Sequence, residues 1–456
     1  MTPKALPEWS LISIIDPSPH DPGKAVVAVD RHRLDDRRPF IYRTTDYGKT
    51  WVMITNGIPE GAYVRSVRED PVRKGLLFAG TERGVYVSFD DGAGWQPLQL
   101  NLPMSPVHDL TIKGSDLIAA THGRSFWILD DIAPLRQAEA AGAAATADGV
   151  FLFDPAPAVR LHHPDWVERQ RPAGQNPPPG AVIDYFIDKE PEGEVALEIF
   201  DAAGGLVRRF SSKEEKKAEQ PPEWPDLLVK ETRLPAAAGA NRFVWDLRHS
   251  EPVQVPGAFY AGNPPEGPLA LPGPYRLKLI AAGQSRTASL DLRPDPRVRA
   301  SAEDLRRQFE LASKTSARLS DLHRAVNEIR AVRAEMLVLR RRAAGTPAGP
   351  GLITAADAVE TKMALIEGAL IQVKLRSSEG TLAFPTMLNE QFYSLGWVIE
   401  SADAAPARPV TETYDLLSQR LDETLASWKA LQAGDIRALD ESARKANLPW
   451  VGTPAS

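Results

Sequence analysis

Three short segments hold the residues best suited to chemistry: Asp30-Arg31-His32-Arg33, Thr81-Glu82-Arg83-Gly84 and Thr121-His122-Gly123-Arg124. Each carries an arginine, and two carry a histidine. Each follows an apolar, strand-like run, so the three are expected as equivalent loops on one face of a repeated sheet. Guanidinium and imidazole donors in adjacent loops suit an anionic or polar ligand. The binding candidates are Arg31, His32, Arg83, His122 and Arg124, with His108 on a neighbouring strand. The competing expectation is that these side chains pair between sheets or point to water.

Catalysis is harder to place. A glycosidase needs two carboxylates about 5–10 Å apart across the scissile bond. Asp16 and Asp70 both precede proline and read as turn residues, and Asp130 and Asp131 fall in a degenerate turn. Asp109, beside His108 on a predicted innermost strand, is the remaining candidate, and one carboxylate is not a pair. His162-His163 lacks the spacing of a zinc-binding helix. No phosphate-cradling glycine loop, Gly-x-Ser-x-Gly motif or cysteine occurs. The sequence therefore points to no metal and no cofactor.

The elements that must position these residues repeat. Thr44-Thr45-Asp46-Tyr47-Gly48-Lys49-Thr50-Trp51 and Ser88-Phe89-Asp90-Asp91-Gly92-Ala93-Gly94-Trp95 share a pattern, and Asp to Asp and Trp to Trp are each 44 residues apart. Strand-like runs precede both. The aspartates can accept from amides of the turn, Gly48 and Gly92 allow positive φ, and Trp51 and Trp95 offer packing area. The period fits a four-stranded blade of roughly 40–45 residues. Strands are predicted at Leu11–Ile15, Val64–Val67 and Val107–Ile112, then at Ala25–Val29, Leu76–Ala79 and Leu117–Ala120, with third strands ending at Thr45, Phe89 and Leu129. Val150–Phe153 is expected to complete the third unit, which has lost the turn's Gly and Trp.

This Ser/Thr-x-Asp-x-Gly-x-Thr-Trp pattern resembles the Asp-box of BNR-repeat propellers, a group that includes sialidases, sortilin-type domains and xyloglucan-cleaving glycosidases. The resemblance implies a structural role for Asp46, Gly48, Thr50, Trp51, Asp90, Gly92 and Trp95, away from any catalytic face. Two full blades and most of a third do not close a propeller. The reading therefore predicts the C-terminal part of a longer protein, or a chain completed by a partner.

Strand candidates between 181 and 294 suggest a sandwich: Val182–Ile187, Glu194–Phe200, Leu206–Phe210, Asn241–Leu247, Gly273–Ala281 and Thr287–Leu292. Asp201-Ala202-Ala203-Gly204, Gly239 to Asp246 and Pro272 to Leu277 resemble the Ig-like domain of flagellar hook-capping proteins, with Trp245 and Tyr275 as core aromatics. Lys213–Lys217 reads as a solvated loop. From residue 301 the apolar period becomes helical. Ser301 with Asp304 suggests a capping start, and helices are predicted to about 344, over 355–376, from just after Phe384 with Pro385 in the first turn, and over 411–432. The Arg340-Arg341-Arg342 cluster complements a helix C-terminus.

The expected organisation is thus a partial propeller (1–160), a Pro-rich linker (161–180), an Ig-like β-sandwich (181–297) and an α-helical bundle (298–446). It resembles the C-terminal portion of bacterial sortilin-like BNR proteins often labelled glycosyl hydrolases. That resemblance implies export to the periplasm or beyond, although no signal peptide opens the chain. A net charge of −6 gives no footprint for nucleic acid, and no 18-residue apolar run could span a membrane. The expected function is non-catalytic binding or scaffolding of peptide or glycan. The alternative is a glycoside hydrolase with its carboxylates mostly outside this chain.

Overall fold

The structure is a computed structural model that describes residues 2–162, 174, 176–213, 233–260, 262 and 264–448. His163 with most of the Pro-rich linker expected over 161–180, and the Lys213–Lys217 run beyond Lys213, lie outside the described residues.

Three small antiparallel sheets resembling propeller blades come first. Strands β1 (Leu11–Pro17), β2 (Ala25–Asp30), β3 (Phe40–Thr44) and β4 (Val52–Met53) pair in chain order. Strands β5 (Val64–Glu69), β6 (Leu77–Thr81), β7 (Gly84–Ser88) and β8 (Gln96–Pro97) repeat that order. The third sheet has three strands, β9 (Val107–Lys113), β10 (Asp116–Thr121) and β11 (Phe126–Leu129). Two-sided burial explains the uniform apolar runs of the middle strands, such as Val26-Val27-Ala28-Val29. Val26, Ala28 and Ile41 of the first sheet share a core with Val67, Leu77 and Ala79 of the second. Phe78, Val85 and Val87 share another with Leu110, Leu117 and Ala119 of the third. Each fully buried Val, Leu, Ile or Phe among them contributes roughly 1.5–3 kcal/mol.

The matched turns follow β3 and β7. The Gly48 N–H donates to Thr44 Oγ1 at 2.9 Å, and the Thr50 N–H and O–H donate to Asp46 at 2.9 and 2.6 Å. The second turn copies this: the Gly92 N–H donates to Ser88 Oγ and the Gly94 N–H to Asp90, both at 2.9 Å. Tyr47 and Gly48 have φ of 59° and 80°, and Asp91 and Gly92 have 60° and 86°. The buried Trp95 donates its Nε1–H to the Ile54 carbonyl at 2.8 Å and so ties the second sheet to the first.

After β11 the chain leaves the blade pattern for two short helices, α1 (Ala133–Arg136) and α2 (Ala138–Ala147). The expectation for Val150–Phe153 is corrected here. Strand β12 (Val150–Leu152) pairs with β14 (Ala181–Ile187), not with the third sheet. Strands β12, β14 and β17 (Gly239–Trp245) form one sheet. The facing sheet runs β13 (Ala158–Arg160), β19 (Gln284–Pro294), β18 (Gly273–Ala281), β15 (Ala196–Phe200) and β16 (Leu206–Ser211), with β13 parallel to β19. Both sheets share one core in which Trp245 meets Tyr275 edge-on at 5.3 Å. The two aromatics are therefore core residues, as the sequence suggests.

The helical region holds α3 (Ala302–Ala343), α4 (Gly349–Leu370), α5 (Leu388–Ile399), α6 (Arg408–Leu431) and α7 (Arg437–Lys445). The Ser301–Asp304 capping box forms as expected. Helix α4 starts six residues before the predicted point, because Pro350 fits the first turn of a helix. Helix α5 starts three residues after Pro385, where the Glu390 carboxylate accepts from the Met387 N–H at 2.7 Å. Helix α7, which the sequence reading misses, continues from α6 through a widened turn over Gln432–Ile436. Arg160 joins this region to the facing sheets, 2.9 Å from Asp403, with both side chains almost wholly buried.

Candidate rim site on the blade sheets

The site is built from a fault repeated in the first strand of each blade-like sheet. In β5 the pairs Val64–Thr81 and Ser66–Gly80 leave Arg65 without a partner. In β9 the pairs Val107–Thr121 and Asp109–Ala120 leave out His108, and in β1 the pairs Ile12–Val29 and Ile14–Ala28 leave out Ser13. Ser13, Arg65 and His108 are therefore equivalent bulge residues. So are Asp30, Glu82 and His122, which follow Val29, Thr81 and Thr121. A bulge bends the strand and re-aims a side chain.

Around Arg65 the groups converge. Its guanidinium donates to Glu82 Oε2 at 3.1 Å and to the Tyr63 hydroxyl at 2.9 Å, and lies 3.8 Å from Asp30 Oδ2. It also sits 5.0 Å from the centre of the Tyr63 ring, a cation–π contact. On Tyr63 stacks the His32 ring, 4.8 Å away and tilted by 14°. His32 Nδ1 is 2.6 Å from the buried Asp30 carboxylate. In the third sheet, the exposed His108 and His122 rings lie nearly parallel, 5.0 Å apart. Partial burial, with the nearby Arg65 and His122, pushes the His108 imidazole below its ordinary pKa. Burial first, and Glu82 next, push the Tyr63 hydroxyl up.

The sequence candidates divide. His32, His108 and His122 stand on this rim. Arg31 does not serve as a ligand donor: it bonds Asp36 and Ser10, each at 3.1 Å, and the Glu8 carbonyl, so it fastens the N-terminal segment. Arg83 and Arg124 are exposed in their hairpin loops. Asp109 is held by Arg68 at 3.0 Å, and the same guanidinium holds Asp16 at 3.1 Å. Asp16 is therefore a clamp between the first strands of neighbouring sheets, not a turn residue; by register the turn equivalent of Asp70 is Ser18. Asp70 does cap its turn, accepting from the Val72 and Arg73 N–H groups.

Asp30, Tyr63, Arg65 and Glu82 complete the rim and were not among the sequence candidates. Aligning Thr81 with Thr121 would have marked Glu82 opposite His122. Nothing in the sequence marks a bulge. The arrangement offers flat ring faces, a guanidinium and two carboxylates already engaged by cationic or imidazole groups. That set can hold a polar ligand, but it presents no acid and base facing each other across a gap. Among the described residues no group of three or more His, Asp or Glu side chains is placed to hold a metal ion, and no helix is long and apolar enough to cross a membrane.

No family model matches the chain, and no curated protein matches it. Among solved structures it is similar to the GH74 enzyme of Niastella koreensis, at 14% identity and TM-score 0.22 over 26% of this chain and 21% of that one. It is also similar to YCF48 from Cyanidioschyzon merolae, at 18% identity and TM-score 0.20 over 26% of this chain and 39% of that one. An ancestral GH74 enzyme matches at 11% identity and TM-score 0.20 over 61% of this chain and 35% of that one. The chain thus spans 21–39% of the length of these proteins. These are distant structural similarities to propeller proteins over part of the chain.

Proposed function

We propose that the chain is part of an exported binding protein that holds a peptide or glycan on the bulge rim. The observation that carries this is the convergence of Tyr63, Arg65 and Glu82 with His32 and Asp30, continued by the stacked His108 and His122. Ring faces take up sugar or side-chain surfaces, and the charged groups orient polar ones. The matched Asp46 and Asp90 turns support an Asp-box propeller of the BNR type. The two-sheet core and the packed helices support an Ig-like sandwich followed by a helical bundle.

The test is a screen of the chain against glycan and peptide arrays, followed by calorimetry on the hits. Arg65→Ala and His108→Ala should each weaken binding by roughly tenfold or more, and the melting temperature should hold for the exposed His108→Ala. Binding that neither substitution changes would move the site elsewhere. Sugar release from a bound glycan, abolished by Asp109→Asn, would replace this reading with the glycoside hydrolase one.

A further inference from the structure

The blade sheets build the same junction twice, and each end of the stack presents half of another. Ile15, Val67 and Leu110 are equivalent, since they pair with the equivalent residues Val27, Ala79 and Ala119. Val67 and Leu110 are 0% and 1% exposed against the preceding sheet, whereas Ile15 is 63% exposed. On the opposite face Ile41, Val85 and Phe126 are equivalent through Ala28, Gly80 and Ala120. Ile41 and Val85 are buried against the following sheet, whereas Phe126 is 75% exposed.

A second set of positions matches across the junctions. The Tyr47, Asp91 and Ile132 N–H groups donate to Gly23, Gly75 and Ser115 carbonyls, which makes those three residues equivalent. Asp91 and Ile132 face the trailing side of the sheet before them, whereas Tyr47, in the first sheet, is 66% exposed. At the first junction Asp91 pairs with Arg43 at 2.7 Å. At the second, Ile132 and Val87, the equivalent of Arg43, both lie in the apolar core. The unfilled halves carry Tyr47 on the leading face and Ile128, equivalent to Arg43 and Val87, on the trailing face; both are exposed. The chain thus puts charge opposite charge and apolar opposite apolar, and its two free faces keep that rule. N-terminal residues cover part of the leading face, with Leu6 against its core and the Ala5 carbonyl accepting from Tyr42. They leave Ile15 and Tyr47 open.

We propose that the occupant of both faces is a second copy of this chain. The trailing face of one copy, Phe126 and Ile128, docks on the leading face of the other, Ile15 and Tyr47. Two copies then close through two equal head-to-tail junctions, which leaves no apolar sheet face over. A contact of this kind either closes a ring or propagates, and the two-copy ring is the closed form.

The experiment is native mass spectrometry and sedimentation of the full chain across the micromolar range. A species of twice 49.9 kDa is expected. Ile15→Asp and Phe126→Asp should each weaken the dimer by roughly tenfold or more. Mixed together, the two variants should recover a heterodimer through its one intact junction, which a folding defect cannot mimic. Equal melting temperatures of the monomers control for folding at these exposed positions. A monomer at every concentration would overturn the proposal and leave the faces to blades of another chain. A dimer broken by Ile15→Asp but not by Phe126→Asp would overturn it in favour of leading-face-to-leading-face contact.

Discussion

The Lys24 ammonium lies 2.7 Å from the Glu69 carboxylate across the first blade junction, and neither side chain reaches solvent. Burial pushes Glu69 up, but bonds from Lys24, Ser18 and the Gly75 N–H outweigh it and leave its pKa below the ordinary value. Removing one partner of a buried pair strands the other charge, at a cost of about 3–5 kcal/mol. Lys24→Ala should lower stability by that amount in chemical denaturation, while Asp109→Asn, at a more exposed pair, should cost about 1 kcal/mol or less. Because the folded pKa of Glu69 is depressed, its contribution is complete above the unfolded value, about 4.3. It is lost as pH falls through the folded value. Wild-type stability should therefore drop below about pH 4, and Glu69→Gln should flatten that drop.

Gly92 combines two constraints. Its φ is 86°, and a Cβ there would lie 2.4 Å from the Ile54 Cδ1. Gly204 has nearly the same φ, 85°, with open space around it. Gly204→Ala should cost about 1 kcal/mol from backbone strain alone. Gly92→Ala should cost about 1–3 kcal/mol more from overpacking at the junction. Equal losses for the two variants would show that Ile54 moves aside freely.

The Arg160–Asp403 pair joins the sheet region to the loop before α6, and Arg160 also donates to Gln308 of α3 at 2.9 Å. Arg160→Ala should destabilise the chain by about 3–5 kcal/mol. Arg160→Met, which keeps most of the packing volume, should also be costly because Asp403 stays buried. The double variant Arg160→Met with Asp403→Leu should regain much of the loss. Additive losses in the double variant would mean that the two side chains act separately.

Asp46 titrates low. Bonds from the Thr50 hydroxyl and N–H hold its carboxyl down to about 2. The turn should keep these bonds above the ordinary carboxylate range and lose them as pH falls toward 2. The protection of the Thr50 amide, its exchange rate corrected for the intrinsic rate at each pH, should fall over that window, and Asp46→Ala should remove the protection at every pH. Protection at Thr50 that stays constant down to pH 2 would contradict the bonding.

Much of the fold is legible along the chain. The buried middle strands announce themselves through β-branched runs, and the paired turns through Asp, Gly and Trp at one spacing. The first helix shows its cap in Ser301 and Asp304. What escapes depends on distant partners. Val150–Leu152 looks like a blade strand, but its mate is Tyr185–Ile187, some thirty residues on. Gly349-Pro350-Gly351 looks like a stop, although proline suits a first turn as well as it breaks a later one. At the site, three of the six binding candidates stand on the rim. Arg31 is held by Asp36 and the N-terminal segment, and strand alternation alone gives the position of Arg65 no special direction.

The extra residue in the first strand of each blade-like sheet separates two duties that a regular strand would combine. Val64 and Ser66 stay laddered on either side of Arg65, as do Val107 and Asp109 beside His108. The bulge side chain can be exchanged without disturbing that pairing or the apolar junctions below it. Ser13, Arg65 and His108 already differ completely in size and charge on equivalent backbone. The rim is therefore a set of interchangeable sockets, and new recognition chemistry could be grafted there one residue at a time on an unchanged scaffold.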